Sequence, residues 1–227
     1  MLINMIFIKK IFLFFRREFR LFYTNIVDLF SNILFFFLSI FIFVFALGTD
    51  EQLLRAIGLG IIWSLLLLSS TLSLRKFYEE DFNNGMLIII HMRGISYELI
   101  VLLKILSHFL FVQVPFLISI PLASILFNIS MLEVYNLMLT FVIGSLILSS
   151  LSSMSASMNL LNKANFSIGG IIVLLFSIPI IIFSVGISEP ESDFKSLINI
   201  LIGITLIFLG ISPWASATFI RLAIRNT

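Results

Sequence analysis

Residues 53–85 read LLRAIGLGIIWSLLLLSSTLSL and then RKFYEEDFNNG, an apolar run followed at once by a charged segment. A helix of about 20 apolar residues crosses the roughly 30 Å hydrocarbon core of a bilayer, and the first part is long enough to do so. The second part carries five ionisable side chains between Arg75 and Asp81. Because such groups are costly in hydrocarbon, the segment is expected to face water. Its composition predicts a short amphipathic helix that ends at the Asn84-Gly85 turn.

The rest of the chain repeats the apolar pattern. Hydrophobic residues make up 60% of the sequence and charged residues 11%, and the mean hydropathy is +1.17, which excludes an ordinary soluble domain. Since backbone groups in lipid must be paired and no alternating pattern suggests a barrel, we predict an all-α integral membrane protein. One transmembrane domain, residues 1–227, is expected to contain six spans at 29–47, 53–74, 99–127, 132–161, 166–187 and 197–220.

Lysine and arginine predict the orientation. With the amino terminus inside, only Arg55 and Lys195 of the 14 Lys and Arg residues lie on the outer side. Both termini and the segment 75–98 are therefore expected to be cytoplasmic. The small net positive charge of +2 follows from this topology and does not indicate nucleic-acid binding.

The amino-terminal stretch 5–23 is apolar but basic on one side. Its basic residues fall within an arc of about 120° on a helix of 100° per residue, and aromatic residues cover much of the remainder. This pattern predicts an amphipathic helix at the cytoplasmic interface, with the basic groups at lipid phosphates. The alternative is a basic flank that only orients the first span. The basic residues are Lys9, Lys10, Arg16, Arg17 and Arg20.

The sequence carries little evidence of catalysis. It has no cysteine, so disulfides and thiolate chemistry are excluded. Neither the phosphate-binding GxxxxGK[ST] pattern nor HExxH or GxSxG occurs, which argues against ATP hydrolysis by this chain and against proteolysis in the membrane. We therefore expect a non-catalytic chain with no metal site, and the sequence assigns no cofactor-binding residue.

Three intramembrane features remain as candidates. His108 in the third span is either a functional residue or a histidine satisfied by a neighbouring hydroxyl or carbonyl group. The serine-rich run at 149–157 either packs helices closely or lines a substrate path. Prolines interrupt the third, fifth and sixth spans, and each removes a backbone donor; these are Pro115, Pro121, Pro179 and Pro213.

Several motifs, in the same order along the chain, resemble one family, the haem exporter protein B (CcmB) of the cytochrome c maturation system. The likeness begins at Arg16-Arg17-Glu18-Phe19-Arg20, with Phe35-Phe36 before the first outer loop. It is strongest at Leu72 to Leu87, where family members carry a run like LxxLxxxDxxxGxLExL. The matching positions are Asp81, Gly85 and Leu87, then the spaced Lys104, His108 and Pro115, then Ile178-Pro179 with Ile182, Phe183 and Gly186, and finally Pro213-Trp214-Ala215-Ser216-Ala217.

The chain also departs from that family pattern. Ile88 replaces the glutamate usual after the GxL, and Met92-Arg93-Gly94 replaces a proline-containing turn. Phe109 stands in place of tryptophan and Gln113 in place of glycine, while the basic Gly-Gly turn is reduced to Lys163-Ala164-Asn165.

The resemblance implies an ABC-2-type exporter permease fold in a complex. Its expected partners are a CcmA-like ATPase subunit that binds ATP, CcmC-like and CcmD-like membrane subunits and a CcmE-like haem chaperone, with haem as the cargo. The expected location is the bacterial inner membrane, or the mitochondrial inner membrane for an organellar gene. Two alternatives stay open: a permease for a lipid, polysaccharide or drug, and a membrane assembly factor or enzyme that uses no ATPase.

We expect the charged segment to be the ATPase contact. In this hypothesis Phe77, Tyr78 and Phe82 are apolar anchors in a groove of the soluble subunit. The charged rim consists of Arg75, Lys76, Glu79, Glu80 and Asp81. Closure of the ATPase would then tilt the helical bundle between two packings. Gly85 and Leu87 also belong to this predicted contact. The predicted functional residues inside the membrane are Lys104, His108 and Pro115. The alternative for the charged segment is a solvated loop with no partner.

Overall fold

The computed structural model describes residues 2–48, 50–72, 77–161, 166–187 and 193–226. We label its α-helices α1 to α10 in chain order. They are α1 Leu2–Thr24, α2 Ile26–Leu47, α3 Glu51–Thr71, α4 Glu79–Asn83, α5 Met86–Met92, α6 Tyr97–His108, α7 Val114–Leu126, α8 Met131–Asn159, α9 Phe166–Gly186 and α10 Phe194–Arg225. A five-residue π-helical turn, Phe109–Gln113, joins α6 to α7.

Within these described ranges, six helical stretches are long and apolar enough to cross a membrane. They are α2, α3, the α6–α7 unit (Tyr97–Leu126), α8, α9 from Gly169, and α10. The predicted all-α class and the number of spans are confirmed. The helix α1 precedes them, as expected; its position at the membrane interface and the cytoplasmic placement of both termini stay predictions.

Side-chain caps place several helix starts. Asp50 accepts hydrogen bonds from the backbone amides of Gln52 and Leu53 at the start of α3. Ser130 and Glu133 form a reciprocal capping box at the start of α8. Ser96 accepts from the amide of Leu99, so that α6 begins at Tyr97, two residues before the predicted span. These caps satisfy amides that have no partner within the helix itself.

The prolines affect the spans differently. Pro115 directly follows the π-helical turn. It has no backbone N–H and its ring crowds the carbonyl four residues earlier, so a local widening of the helix relieves both problems. Pro121, Pro179 and Pro213 lie inside α7, α9 and α10.

The helix α8 packs against α6, α7, α9 and α10. Its serines lie at the contacts, because every serine from 149 to 157 is buried. This burial agrees with the packing interpretation of the serine-rich run, and the substrate-path alternative stays a prediction. Gly144, one turn earlier, has no room for a side chain: a Cβ atom there would lie 2.7 Å from the Trp63 ring.

Apolar side chains form two clusters. The larger one surrounds Trp63 and Phe141 and joins α2, α3, α7, α8 and α9. The smaller one contains Tyr78, Leu87 and Ile100 and joins the segment after α3 to α6 and α10. Phe14 of α1 belongs to this second cluster.

The charged segment forms two short helices. The first, α4, ends at Asn83, and Asn84-Gly85 follows as a turn with Gly85 at φ 67°, so the predicted stop is confirmed. The left-handed conformation at residue 85 favours glycine because it has no Cβ atom. The second helix, α5, was not predicted. Arg75 and Lys76 lie outside the described residues.

Candidate coupling site

Four charged side chains from three separate helices meet beneath the segment 77–94. We call Arg17, Glu18, Asp81 and Lys104 the charge cluster. Arg17 directs two guanidinium nitrogens to the two carboxylate oxygens of Asp81, one of them at 3.3 Å. The Lys104 ammonium lies 2.7 Å from Asp81 Oδ2, the oxygen that Arg17 contacts at 3.3 Å, and 3.4 Å from Glu18. The cluster therefore ties α1, α4 and α6 together.

The charge cluster is largely removed from solvent. Asp81 is 4% exposed and Lys104 is 6% exposed. Burying ions is costly, and the cost is offset only where the charges are paired and the remaining donors are satisfied. Here two carboxylates face two cations, and Lys104 also donates to the Phe77 carbonyl at 3.1 Å. Loss of any one member would leave the remaining charges only partly compensated.

The ion pairs determine the protonation of Asp81. Burial by itself would raise the pKa of its carboxyl group, but the Lys104 ammonium and the Arg17 guanidinium outweigh that effect and hold the pKa below its usual value. Asp81 is therefore ionised at neutral pH. The carboxylate then accepts charge-assisted hydrogen bonds from both cations.

Tyr78 fixes the same segment to two spans. Its hydroxyl lies 2.8 Å from the Ser153 hydroxyl of α8, which in turn lies 3.1 Å from Ser216 of α10. The Lys104 ammonium stands 5.6 Å from the centre of the Tyr78 ring, within cation–π range. Burial raises the pKa of the Tyr78 hydroxyl, so this group stays protonated and able to donate.

His108 lies behind Phe77. The two ring centres are 5.0 Å apart, and His108 Nδ1 is 3.0 Å from the Ser149 hydroxyl. This hydroxyl is the kind of partner expected for a histidine satisfied by a neighbouring helix and accounts for one ring nitrogen; a functional role for His108 stays a prediction. The other nitrogen, Nε2, is buried and has no protein partner within the described part of the chain.

Burial corrects the expected roles of four residues in the segment. Phe77, Tyr78, Asp81 and Leu87 are buried within the chain itself, so they are not exposed anchors or rim groups in this structure. The reason is that Asp81 finds cations on α1 and α6, and the three apolar side chains join the second apolar cluster. The surface of the segment consists instead of Glu79, Glu80, Asn83, Asn84, Ile89 and residues 91–94.

Two basic residues of α1 also differ from expectation. Arg17 points to Asp81, and Lys10 donates to the Arg93 carbonyl at 2.7 Å. Neither is free to bind lipid phosphates. Lys9, Arg16 and Arg20 are exposed, as the interfacial helix requires.

The structure brings Lys104 and His108 into the site and leaves Pro115 apart from it. Phe82 and Gly85 are half-buried at the surface of the segment. Sequence reasoning missed Arg17 and Glu18 as partners of Asp81, because they lie more than 60 positions away and no local pattern links them. Sequence reasoning also missed Met92 as a surface residue of the segment, where it is 80% exposed at the end of α5. The sequence feature that could have indicated it is an apolar side chain between His91 and Arg93.

A cavity of about 300 Å³ opens beside the charge cluster. Its walls come from α1, α2, α6 and the segment 77–94, and they include Phe22, Asn32, Phe77 and Phe111. Carboxylates of Glu18, Glu80 and Asp81 lie along it. Within the described ranges, no group of three or more His, Asp or Glu side chains is arranged to hold a metal ion.

Fold and site together define a multi-pass α-helical membrane protein with a compact segment of two short helices between its second and third spans. Comparison with known proteins assigns the family. The sequence model of the CcmB protein family matches residues 9–223, and the chain belongs to this family.

The chain is similar along most of its length to several curated proteins named Heme exporter protein B. The protein from Haemophilus influenzae is 27% identical over 220 residues, which cover 93% of this chain and 97% of that protein. The Bradyrhizobium diazoefficiens protein is 29% identical over 194 residues, 84% of this chain and 87% of its own. The Pseudomonas aeruginosa protein is 26% identical and covers 92% of this chain and 95% of its own.

Proposed function

We propose that this chain is the membrane-spanning permease subunit of an ATP-driven complex that exports haem for cytochrome c maturation. The observation that carries the proposal is the family match over residues 9–223, with full-length relatives named Heme exporter protein B. Haem, or a haem-loaded chaperone, is then the cargo of the complex. The chain itself is a non-catalytic part, and ATP is hydrolysed by a separate CcmA-like subunit.

The proposed complex contains further membrane partners. CcmC-like and CcmD-like subunits lie beside the chain in the inner membrane, and a CcmE-like haem chaperone acts on the outer side. The exposed apolar side chains on the outer faces of α2 and α10 suit lipid or such partner helices. Examples are Phe45 and Leu206, both well exposed.

Within this proposal, the segment 77–94 is the contact for the ATPase, and we name it the coupling segment. Its exposed face carries the carboxylates of Glu79 and Glu80 and the apolar side chains of Ile89 and Met92. Interfaces place an apolar anchor at the centre and charged groups at the rim. Met92 has the exposure that an anchor needs, whereas Phe77 and Tyr78 are already used inside the chain.

A deletion experiment tests the cargo. In the organism that carries the chain, removal of its gene should abolish covalent attachment of haem to c-type cytochromes, measured by haem staining of denatured proteins, and a plasmid copy should restore it. Normal cytochrome c together with a defect in a lipid or polysaccharide of the cell envelope would instead support the alternative permease.

A charge reversal tests the contact. The double variant Glu79→Lys and Glu80→Lys should lose co-purification of the ATPase subunit, because a rim of the wrong sign opposes docking. Glu51→Lys is the matched control, since Glu51 is exposed and α3 carries it to the opposite end of the bundle. Recovery of the ATPase with the double variant at the level of the control would refute this contact. Met92→Ala should weaken recovery without a change of charge.

A further inference from the structure

The helix α1 contacts the coupling segment at three places. Near its beginning, Lys10 donates to the carbonyl of Arg93, just after α5. In the middle, Phe14 is buried in the same apolar cluster as Leu87 and Ile90 of α5. Further along, Arg17 pairs with both oxygens of Asp81 in α4. The three contacts therefore engage both short helices of the segment.

The opposite side of α1 makes a different surface. Ile8, Phe12, Phe19 and Tyr23 are each more than half exposed, and Phe12 reaches 66%. A row of large apolar side chains with basic neighbours is the pattern of a helix that lies in the headgroup region of a membrane. One face of α1 thus suits lipid, while the other packs against α6 and contacts the coupling segment.

We propose that α1 and the coupling segment move as one rigid unit, in which Arg17 is the positioning residue that aligns Asp81. The inference rests on the proposed function in one respect: an ATPase must move the coupling segment. The inference goes further than that function, because it makes α1 a second element that moves with the ATPase. Displacement of the coupling segment then also displaces a helix in the cytoplasmic leaflet, in addition to acting on α6 through Lys104.

The cost of separating the two elements favours the rigid unit. If α1 stayed fixed while the segment moved, Asp81 and Lys104 would lose a partner in every transport cycle. Both are almost fully buried. They would keep each other, but Asp81 would lose Arg17 and Lys104 would lose Glu18, and losing a partner is costly for a buried charge. The apolar cluster that Phe14 shares with Leu87 and Ile90 would be disrupted in the same step, which would expose apolar surface. Joint motion keeps the Arg17–Asp81 pair and the burial of Phe14, and the Lys104 contacts are kept because α6 follows the segment through them.

Cross-linking tests the rigid unit. The natural chain has no cysteine, so Lys10→Cys with Arg93→Cys introduces the one cysteine pair of this chain, with one member on α1 and one on the coupling segment. The complete complex is reconstituted in vesicles and treated with a short bifunctional thiol reagent that contains a cleavable disulfide. Single-cysteine variants treated in the same way are the controls, because they carry the modification without the tether.

We expect the tethered complex to keep the nucleotide hydrolysis rate of the controls, with no loss on cross-linking and no gain on cleavage of the tether. Loss of activity that returns when the tether is cleaved would overturn the inference, since it would show that α1 and the segment must part. Failure of the untreated wild-type chain to bind any ATPase would refute the proposed function, and the inference with it.

A second set of variants tests Arg17 itself. Arg17→Met should lower the ATPase activity of the complex severalfold while the amount of ATPase that co-purifies is unchanged, because the segment is still present but misaligned. Arg17→Lys should restore part of it, since a lysine keeps the charge but not the two-nitrogen contact. Arg16→Met is the matched control at an exposed neighbouring position. Equal activity of Arg17→Met and Arg16→Met would contradict the positioning role.

Discussion

Replacement of Lys104 by methionine should destabilise the protein strongly. Lys104 is 6% exposed, and its ammonium contacts Asp81 at 2.7 Å, the Phe77 carbonyl at 3.1 Å and Glu18 at 3.4 Å. Methionine fills a similar volume but carries no charge. Arg17 is then the one cation of the charge cluster that faces the carboxylates of Glu18 and Asp81. Removing one partner of a buried ion pair costs about 3–5 kcal/mol. We expect about 3 kcal/mol here, because Arg17 continues to compensate Asp81.

This change is large enough to measure on the purified protein. A loss of about 3 kcal/mol reduces the folding equilibrium constant by roughly 150-fold. For a chain of this size, 1 kcal/mol corresponds to about 2–4 °C in the midpoint of thermal unfolding, so the expected shift is roughly 6–12 °C. The assay is thermal unfolding in detergent, followed by the monodisperse fraction on size exclusion.

The control is Lys9→Met, the same substitution at an exposed position of α1. It should change the midpoint by about 1–2 °C at most, because exposed residues without partners contribute little. The double variant Lys104→Met with Asp81→Asn should cost less than the sum of the two single variants, since both report one interaction. If Lys104→Met unfolds at the temperature of Lys9→Met, the charge cluster does not stabilise the fold.

Two further predictions concern acid and packing. Asp81 stabilises the folded state because its pKa is lower there than in the unfolded chain. This contribution is complete above the unfolded pKa of about 4 and is lost as the pH falls through the lower folded value. The difference in unfolding midpoint between wild type and Asp81→Asn should therefore be constant near neutrality and shrink below about pH 4, and an unchanged difference in acid would contradict the assignment. Gly144→Ala should cost about 1–3 kcal/mol, because the new Cβ atom would lie 2.7 Å from Trp63 and 2.9 Å from Ile180; Gly203→Ala, with no atom within 4 Å of its Cβ position, is the control in the same thermal assay and should be neutral.

Much of the fold follows from local patterns. Six apolar stretches of sufficient length predict six spans, because each segment in hydrocarbon must by itself be apolar, long enough to cross and able to pair its own backbone groups. The Asn84-Gly85 pair likewise predicts the end of α4, since a left-handed turn favours glycine whatever the tertiary contacts are. The helix α5 escaped prediction because a seven-residue apolar stretch is too short for a clear period and its conformation depends on packing.

The charge cluster illustrates what local patterns leave open. Five ionisable groups near residue 78 indicate a segment outside the hydrocarbon, and the sequence alone established that much. It treated Asp81 like Glu79 and Glu80, although the three carboxylates have different environments: Asp81 is 4% exposed, and the two glutamates face outwards. Their difference comes from helix periodicity combined with the positions of distant helices.

The sequence by itself therefore determined the membrane class, the number of spans and the place of the charged segment, because hydropathy and charge act residue by residue along the chain. The tertiary structure alone decided which charges are paired, since Arg17 and Lys104 approach Asp81 only when α1 and α6 pack against α4. Coulomb attraction in a region of low dielectric depends on distance in space. Separations of 64 residues for Arg17 and 23 for Lys104 give no indication of that distance.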